Sequence, residues 1–423
     1  MNNKEYFERI KDRLLNSLKK SCANNPYYEN LLADHGVVLD EKFDYEMFKK
    51  IPVMTKDKYR AEQEEINKIL EKKNKMRVVT SGSTGNPMVI YRSVSDNIRM
   101  NYALNKYRNS VTENIVSKKG ILFHYMYYKK IHDELRNESF SFVKDSENFF
   151  RFRYFFLSEE VYKACIECIN REKPQWILGQ VSFLYNLAKY IRANGALNHE
   201  VEYVECNSEY LGVEERAVIQ DVFGVNPVSM YGANEVNAIA FQCSCGKMHI
   251  MDECIFCEIE EDTKNVLVTS LNNVNTPFLR YKIGDVAEWG EDCSCEFNGP
   301  VIELSGFRAN DFFLVDGKKK VEMWYFSEVI RMLQTQVNIK VNQFKIIQYS
   351  DGVQFILAIN NDISELKQEI GAFLKNSVKE IFEREERVDI IYVDEILPDP
   401  VTGKFKFFLA ARDKNIEDAN LEI

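Results

Sequence analysis

Apolar residues recur along this chain with two periods, and the periods alternate in blocks. Near the start, Tyr6, Phe7, Ile10, Leu14 and Leu18 repeat at helical spacing, which predicts an opening amphipathic helix. Asn25-Pro26-Tyr27-Tyr28 stops that helix and starts another, and Ile51-Pro52-Val53-Met54-Thr55-Lys56 leads into a third helical stretch. Helical patterns return at 95–118, 159–171, 181–193 and 214–223. Between them Gly120–His124, Pro174–Gly179, Val201–Cys206 and Asn226–Gly232 read as short buried strands. Strand, short polar turn, helix, strand is the order of a largely parallel α/β sheet.

After 236 the texture changes to short strands, cysteines and turns. Val266–Ser270 and Phe278–Lys282 predict antiparallel strands of a small β subdomain, with Gly284-Asp285 as a turn. From about 311 a second pattern begins. A strand at 312–315 meets the hairpin signal Asp316-Gly317, then a helix at 324–335. Phe344–Ile347 and Val353–Leu357 flank Asp351-Gly352 as another hairpin, and Asp362-Ile363-Ser364-Glu365 fits a capping box. The helix it would open carries Leu366, Ile370, Phe373, Leu374 and Ile381 on one face, and a strand at 388–393 completes a β-α-β-β-α-β unit. The expected fold class is α/β. A large N-terminal domain, 1–309, has mainly parallel α/β sheets plus the small β subdomain, cysteine-rich around 240–300. A small α+β C-terminal domain spans 310–423.

A length of 423 residues agrees with two domains. The 45% hydrophobic and 13% aromatic shares exclude a disordered scaffold. A net charge of −10 weighs against a nucleic-acid partner bound through a broad basic surface. No window approaches the ~20 consecutive apolar residues of a membrane span, and the amphipathic start is no signal segment. A cytoplasmic location is expected, so the ten cysteines read as reduced thiols or metal ligands. Cys165 and Cys168, one helical turn apart, fit packing.

The chemistry concentrates first at Val78–Pro87. Two β-branched residues lead into Thr80-Ser81-Gly82-Ser83-Thr84-Gly85-Asn86-Pro87, and a second apolar run follows. Gly82 and Gly85 allow successive N–H groups to turn inward as an anion-binding nest, and Ser81, Ser83 and Thr84 add hydroxyl donors. The loop lacks the Gly-Lys-Ser/Thr ending of a Walker loop and the G-x-G-x-x-G of a dinucleotide fold. A polar hairpin loop is its plainer reading. His124 ends a predicted strand where ligands meet open α/β sheets, although a lone histidine is commonly structural. Cys243-Ser244-Cys245, His249 and Cys293-Ser294-Cys295 place tight pairs of thiols and an imidazole within reach of tetrahedral Zn2+. Four of these five would ligate: His249, Cys293 and Cys295, with Cys243 or Cys245 as the fourth. Free thiols are the alternative.

Five motifs fall in one order from Thr80 to Lys404. The loop Thr80–Pro87 resembles the TSGSTG-x-P phosphate loop of the adenylate-forming superfamily, the acyl-CoA ligases and their relatives. Tyr231-Gly232-Ala233-Asn234-Glu235 resembles its YG-x-TE motif with Asn234 for threonine, and Tyr281-Lys282-Ile283-Gly284-Asp285 its Y-R/K-T-G-D with Ile283 for threonine. Gly306-Phe307-Arg308-Ala309-Asn310-Asp311 resembles the hinge G-R-x-D-D with one extra residue, and Pro398–Lys404 matches the terminal P-x5-G-K. The opening helix, Asn-Pro-Tyr-Tyr and Ile-Pro-Val-Met-Thr-Lys resemble the phenylacetate–CoA ligase branch and its capsule-cluster relatives. The likeness covers nearly the whole chain and thins between 125 and 157.

That resemblance implies ATP-dependent activation of a small-molecule carboxylic acid to an acyl-adenylate, then acyl transfer, most naturally to coenzyme A. It implies ATP at Ser81, Gly82, Ser83, Thr84 and Gly85, with Ser208-Glu209-Tyr210 and Tyr231 near adenine. Gly232, Ala233 and Asn234 would line the same site. Glu235 would bind Mg2+, assisted by Thr84. Asp285 would take the ribose hydroxyls, and Arg308 the ribose or phosphate. Asn310 would be the domain pivot and Lys404 the catalytic cation at the α-phosphate. The same branch carries a metal knuckle, so a structural Zn2+ is implied as well. An aryl or hydrophobic acid is expected, and a homodimer is left open. Two alternatives stay open: an adenylating synthetase acylating an amine, sugar or carrier protein, and a non-catalytic, zinc-stabilised nucleotide-binding protein. Met88 stands where many relatives have lysine.

Overall fold

Helix starts in this chain are written in side-chain caps. Asn2 and Glu5 form a reciprocal capping box on α1 (Asn3–Asn24), and Asn25 caps α2 (Pro26–Asp34), whose first residue is proline. Asp44 caps α3 (Tyr45–Lys49), Thr55 caps α4 (Lys56–Asn67) and Ser93 caps α5 (Val94–Val111). Ser158 caps α6 (Glu159–Glu172), and α7 (Val181–Asn194) and α8 (Val213–Phe223) follow. The computed structural model describes residues 1–71, 73–79, 88–126, 139–154, 158–195, 197–308, 312–315, 319–322, 324–349, 351–359, 362–394, 396 and 408–410. They form two compact units, Met1–Leu211 with Glu215–Leu304, and Gly212–Glu214 with Ser305–Ile423.

In the first unit β1 (Lys75–Val79) and β2 (Val89–Ser93) pair antiparallel, so the two strands expected on either side of 80–87 are present. The remaining strands are β3 (Gly120–Tyr125), β4 (Phe140–Lys144), β5 (Phe149–Tyr154), β6 (Trp176–Gln180), β7 (Tyr203–Asn207) and β8 (Val228–Ala233), then β9 (Asn237–Gln242), β10 (Met248–Ile250), β11 (Ile255–Ile259), β12 (Asn265–Ser270), β13 (Tyr281–Trp289) and β14 (Val301–Arg308). They hydrogen-bond in the order β11-β12-β13-β14-β10-β9-β8-β7-β6-β3-β5-β4. The pairs β5–β3, β3–β6, β6–β7 and β7–β8 are parallel, as the alternating pattern predicts. At β8–β9 the sheet turns antiparallel and runs on without a break. The mixed α/β class expected from the sequence holds, with the antiparallel strands extending the parallel sheet.

Two local expectations need correction. Gly284-Asp285 is not a turn but lies inside β13. Asn265 pairs with Val286 and Leu267 with Lys282, so Ile283, Gly284 and Asp285 bulge opposite Val266 alone. Gly284 takes φ +89° there, a conformation open to glycine. In the second unit, Asp362 does not cap a helix. Its carboxylate accepts from the Ser364 amide and hydroxyl at 3.0 and 2.6 Å, a local turn that uses up the side chain, and the helix begins at Lys367.

The apolar face of α1 (Tyr6, Phe7, Ile10, Leu14, Leu18) is buried, with Phe7 against Phe43, Phe48 and Phe256. Asn3 donates to the Ile259 carbonyl at 2.7 Å and accepts from its amide at 2.9 Å, so the edge strand β11 is closed by a side-chain amide. Arg108 of α5 grips Glu205 of β7 with two 2.7 Å hydrogen bonds, and Tyr203 donates to the same carboxylate at 2.9 Å. Glu205 is fully buried and Arg108 stacks over Trp176. The second unit holds β15 (Phe312–Val315), β16 (Lys319–Glu322), α9 (Trp324–Gln336), β17 (Gln343–Tyr349), β18 (Gly352–Ala358), α10 (Lys367–Phe382), β19 (Arg387–Val393) and β20 (Phe408–Ala410). β15 and β16 form the expected hairpin, and the four others pair in the order β19-β18-β17-β20. Phe313, Phe326, Leu333, Phe355, Ile370 and Leu374 fill its core.

Removing one partner of the Arg108–Glu205 pair strands a buried charge. Glu205→Ala is expected to destabilise the first unit by about 3–5 kcal/mol in urea unfolding, and joint replacement with Arg108→Met and Glu205→Leu to restore most of it. A Glu205→Ala variant as stable as the parent would show the pair to be idle.

Candidate active site

Five of the predicted nucleotide residues lie on or beside β8, and one on β13. Tyr231, Gly232 and Ala233 end β8, and Asn234 and Glu235 form the turn into β9. Gly232 is obligatory there: a Cβ at that position would lie 2.2 Å from the Asn237 carbonyl oxygen across the hairpin. Tyr231 donates its hydroxyl to Asp285 at 2.8 Å, and Tyr281 donates to Glu235 at 3.0 Å. β8 and β13 stand four places apart in the sheet order, about 19 Å in a flat sheet. The sheet is therefore strongly curled, and these two hydrogen bonds close it. Motifs fifty residues apart in sequence thus come together.

Tyr281 is itself held from the N-terminal segment. Met54 forms a bridge with it, donating its amide to Arg280 at 3.1 Å and accepting from Lys282 at 2.9 Å. Arg280 adds hydrogen bonds to both Glu258 oxygens at 3.0 and 3.1 Å and to the carbonyls of Lys49 and Ile51 at 2.8 and 2.9 Å. Ile51–Thr55, legible only as a helix lead-in, seats this strand.

Arg92 was missed. It occupies a buried position of β2 beside Ile90, and its guanidinium donates to the Asn234 carbonyl and, at 3.4 Å, to the Glu235 carbonyl. Burial lowers its pKa while Glu235 and Asp96 oppose that shift. Its Nε is buried without a hydrogen-bond partner. A charged residue at an inward-facing strand position was the available signal.

On the neighbouring turn, Ser208 has φ +68° and bonds Asn207 at 3.0 Å, and Tyr210 is 52% exposed. Glu209 accepts from the Ser182 amide at 2.8 Å, so it caps the start of α7. The loop carrying Ser81, Gly82, Ser83, Thr84 and Gly85 lies outside the described residues, as do Asn310 and Lys404. Arg308 ends β14.

The predicted metal ligands do converge. Cys243 Sγ, His249, Cys293 Sγ and Cys295 Sγ offer ligand atoms that all lie within 4.8 Å of one another. Cys243 and Cys293 stand 3.9 Å apart, and Cys295 lies 3.3 Å from His249 Nε2. Zn–S bonds of about 2.3 Å and Zn–N bonds of about 2.0 Å in a tetrahedron give edges of about 3.8 and 3.5 Å, so this set fits zinc. His249 Nδ1 bonds the Gly299 carbonyl at 2.7 Å, which leaves Nε2 for a metal. The backbone amide of Cys295 and then His249 hold the Cys293 thiol down to about 6. Cys243, not Cys245, completes the set; Cys245 is exposed. Cys254 and Cys257 are buried in packing.

No family model matches the sequence. Protein CapK of Staphylococcus aureus is 24% identical over 412 residues, across 94% of this chain and 86% of its own. A 2-hydroxyisobutyryl-CoA ligase in its postadenylation state, in complex with 2-HIB-AMP, superposes at TM-score 0.64 and 13% identity, covering 97% of this chain and 91% of that one. An ATP-bound RpMatB-BxBclM chimera matches at TM-score 0.50 and 13% identity, across 77% of this chain and 65% of its own. This chain has the adenylate-forming ligase fold. In it Tyr231, Glu235, Tyr281 and Asp285 occupy one neighbourhood of the first unit, and no helix among the described residues is long and apolar enough to cross a membrane.

Purified protein is expected to carry about one zinc per chain by elemental analysis. Stripping it with a chelator, or Cys295→Ser, should lower the melting temperature, and Cys245→Ser should leave both content and melting unchanged. Metal-free protein of unaltered stability would remove zinc from the structure.

Proposed function

We propose that this chain activates a carboxylic acid with ATP and then transfers the acyl group, with coenzyme A as acceptor. The carrying observation is the closed pair Tyr231–Asp285 and Tyr281–Glu235, in a fold shared nearly end to end with a CoA ligase holding an acyl-adenylate. Both reactants are anionic, so the first task is charge. The backbone and hydroxyls of Thr80–Pro87 would hold the phosphates. Glu235 fits Mg2+: one carboxylate oxygen is oriented by Tyr281 and the turn backbone is held by Arg92. The ion would supply charge neutralisation at the phosphates.

Asp285 accepts the ribose hydroxyls, and its bond to Tyr231 keeps the phenol ring beside the adenine position. Arg308 takes the ribose or phosphate. A carboxylate oxygen of the acid attacks the α-phosphorus as the bond to pyrophosphate breaks, with Lys404 stabilising the charge gathered there. The small unit then turns about Asn310. The CoA thiol, deprotonated, adds to the acyl carbonyl, and AMP leaves. The zinc knuckle is structural in this reading.

Acid-dependent exchange of labelled pyrophosphate into ATP tests the first half-reaction on a panel of acids. Lys404→Ala should lose at least about 100-fold in exchange, and Asp285→Ala should raise the KM for ATP. Arg92→Lys should raise the Mg2+ concentration needed for half-maximal rate. No exchange with any acid, or a Lys404→Ala variant equal to the parent, refutes the mechanism. Thioester found by mass with CoA supports that acceptor; its absence with an active acid points to an amine, sugar or carrier protein.

A further inference from the structure

Strand β5 alternates sharply between two kinds of side chain. Phe150, Phe152 and Tyr154 are buried on one face, where Phe152 meets Phe123 and Phe140, and Tyr154 stacks on Phe183. Arg151 and Arg153 hold the other face. In register, Arg151 lies beside Leu122 of β3 and Arg153 beside His124. On the far side they face Val143 and Ser141 of β4. Arg153 and His124 therefore stand side by side one residue before the C-terminal ends of parallel strands, the end at which open α/β sheets bind ligands, with Arg151 one pair of positions further back. Gln180 and Asn207 finish β6 and β7 at the same edge.

The two arginines differ in their pairing. Arg151 is matched by Asp145 at 2.9 Å. Arg153 makes no ion pair or hydrogen bond among the described residues, and the Nε atoms of both are buried without a partner. Desolvation, then Arg151 and Arg153, hold the imidazole of His124 down to about 4, although the residue keeps an exposed surface. It is neutral at pH 7 and adds a hydrogen bond without a charge. A half-buried guanidinium with no counter-charge among the described residues is one that a bound anion would stabilise.

We propose that Arg153, with Arg151 and His124, forms a subsite for a second anionic group on the acid being activated. The substrate class is then a dicarboxylate or a comparably dianionic acid, instead of the aryl or purely hydrophobic acid that the chain's abundant aromatics suggested. β5, which carries Arg153, lies four strand spacings from β8, about 19 Å along a flat sheet. The second charge accordingly sits well away from the carboxylate that is adenylated. The proposal rests on the adenylation reading above.

The test compares a graded series of α,ω-dicarboxylates and aromatic diacids with their monomethyl esters, which keep shape and lose one charge. In pyrophosphate exchange by the parent, diacids are expected to show KM values about 10- to 100-fold below their esters. Arg153→Gln should raise the diacid KM by that factor, change kcat little and leave the ester alone, and Arg153→Lys should retain part of the preference. Esters used as well as diacids by the parent, or an Arg153→Gln effect equal on both, would overturn the subsite. If no acid supports exchange, the adenylation reading fails by itself. Calorimetric titration of the same diacids then decides the subsite: binding lost in Arg153→Gln upholds it, and binding absent or unchanged ends it.

Discussion

Two phenol-to-carboxylate hydrogen bonds, Tyr231 to Asp285 and Tyr281 to Glu235, fix the curvature on which the candidate site depends. Strand twist bends every large sheet, but twist alone sets no particular closure. Here the two bonds span β8 and β13, which would lie far apart if the sheet were flat. Each bond uses a carboxylate to which the proposed mechanism also gives a role, so on that reading shape and function share the same atoms. Two backbone irregularities let the bonds form. Gly232 allows β8 and β9 to approach more closely than any side chain permits, and Gly284 bulges β13 so that Asp285 leaves the ordinary register.

The closure has support behind it on each side. Behind Tyr281, Met54 pairs with the strand and Arg280 spans Glu258 and two carbonyls of the N-terminal segment. Behind Glu235, Arg92 holds the turn through its backbone. β2, which carries Arg92, follows residues 80–87 directly in sequence. On the proposed reading, the segment assigned to the phosphates and the carboxylate assigned to Mg2+ are therefore linked through β2 and one guanidinium.

The sequence made the parallel half of the sheet legible because buried strands and amphipathic helices alternate there with clean periods. It also carried the converging thiols and His249, because closely spaced cysteines leave few geometries. Other features depended on long-range packing that no local pattern records. Gly284-Asp285 looks like a turn by composition, and only pairing with β12 makes it a bulge. Asp362 looks like a cap, but Ser364 two residues on competes for its carboxylate. Arg92 had only its phase with Ile90 to mark it, against the ordinary rule that a charge in a strand faces solvent, and its burial comes with the turn at 234–235 that it holds. The choice of Cys243 over Cys245 is likewise a matter of which thiol points inward.

Buried cations in the first unit divide into two kinds, and the division separates scaffold from site. Arg108 and Arg280 each meet a buried carboxylate through two hydrogen bonds and touch an aromatic face. Such pairs are complete within the chain; they hold α5 and the N-terminal segment to the sheet and need nothing more. Arg92 is completed by carbonyls, a weaker match for a full charge, and the Glu235 carboxylate beside it is where a cation would bind. Arg153 has no such completion among the described residues and stands near the C-terminal end of a parallel strand. Under the subsite proposed for it, the missing counter-charge arrives with the substrate.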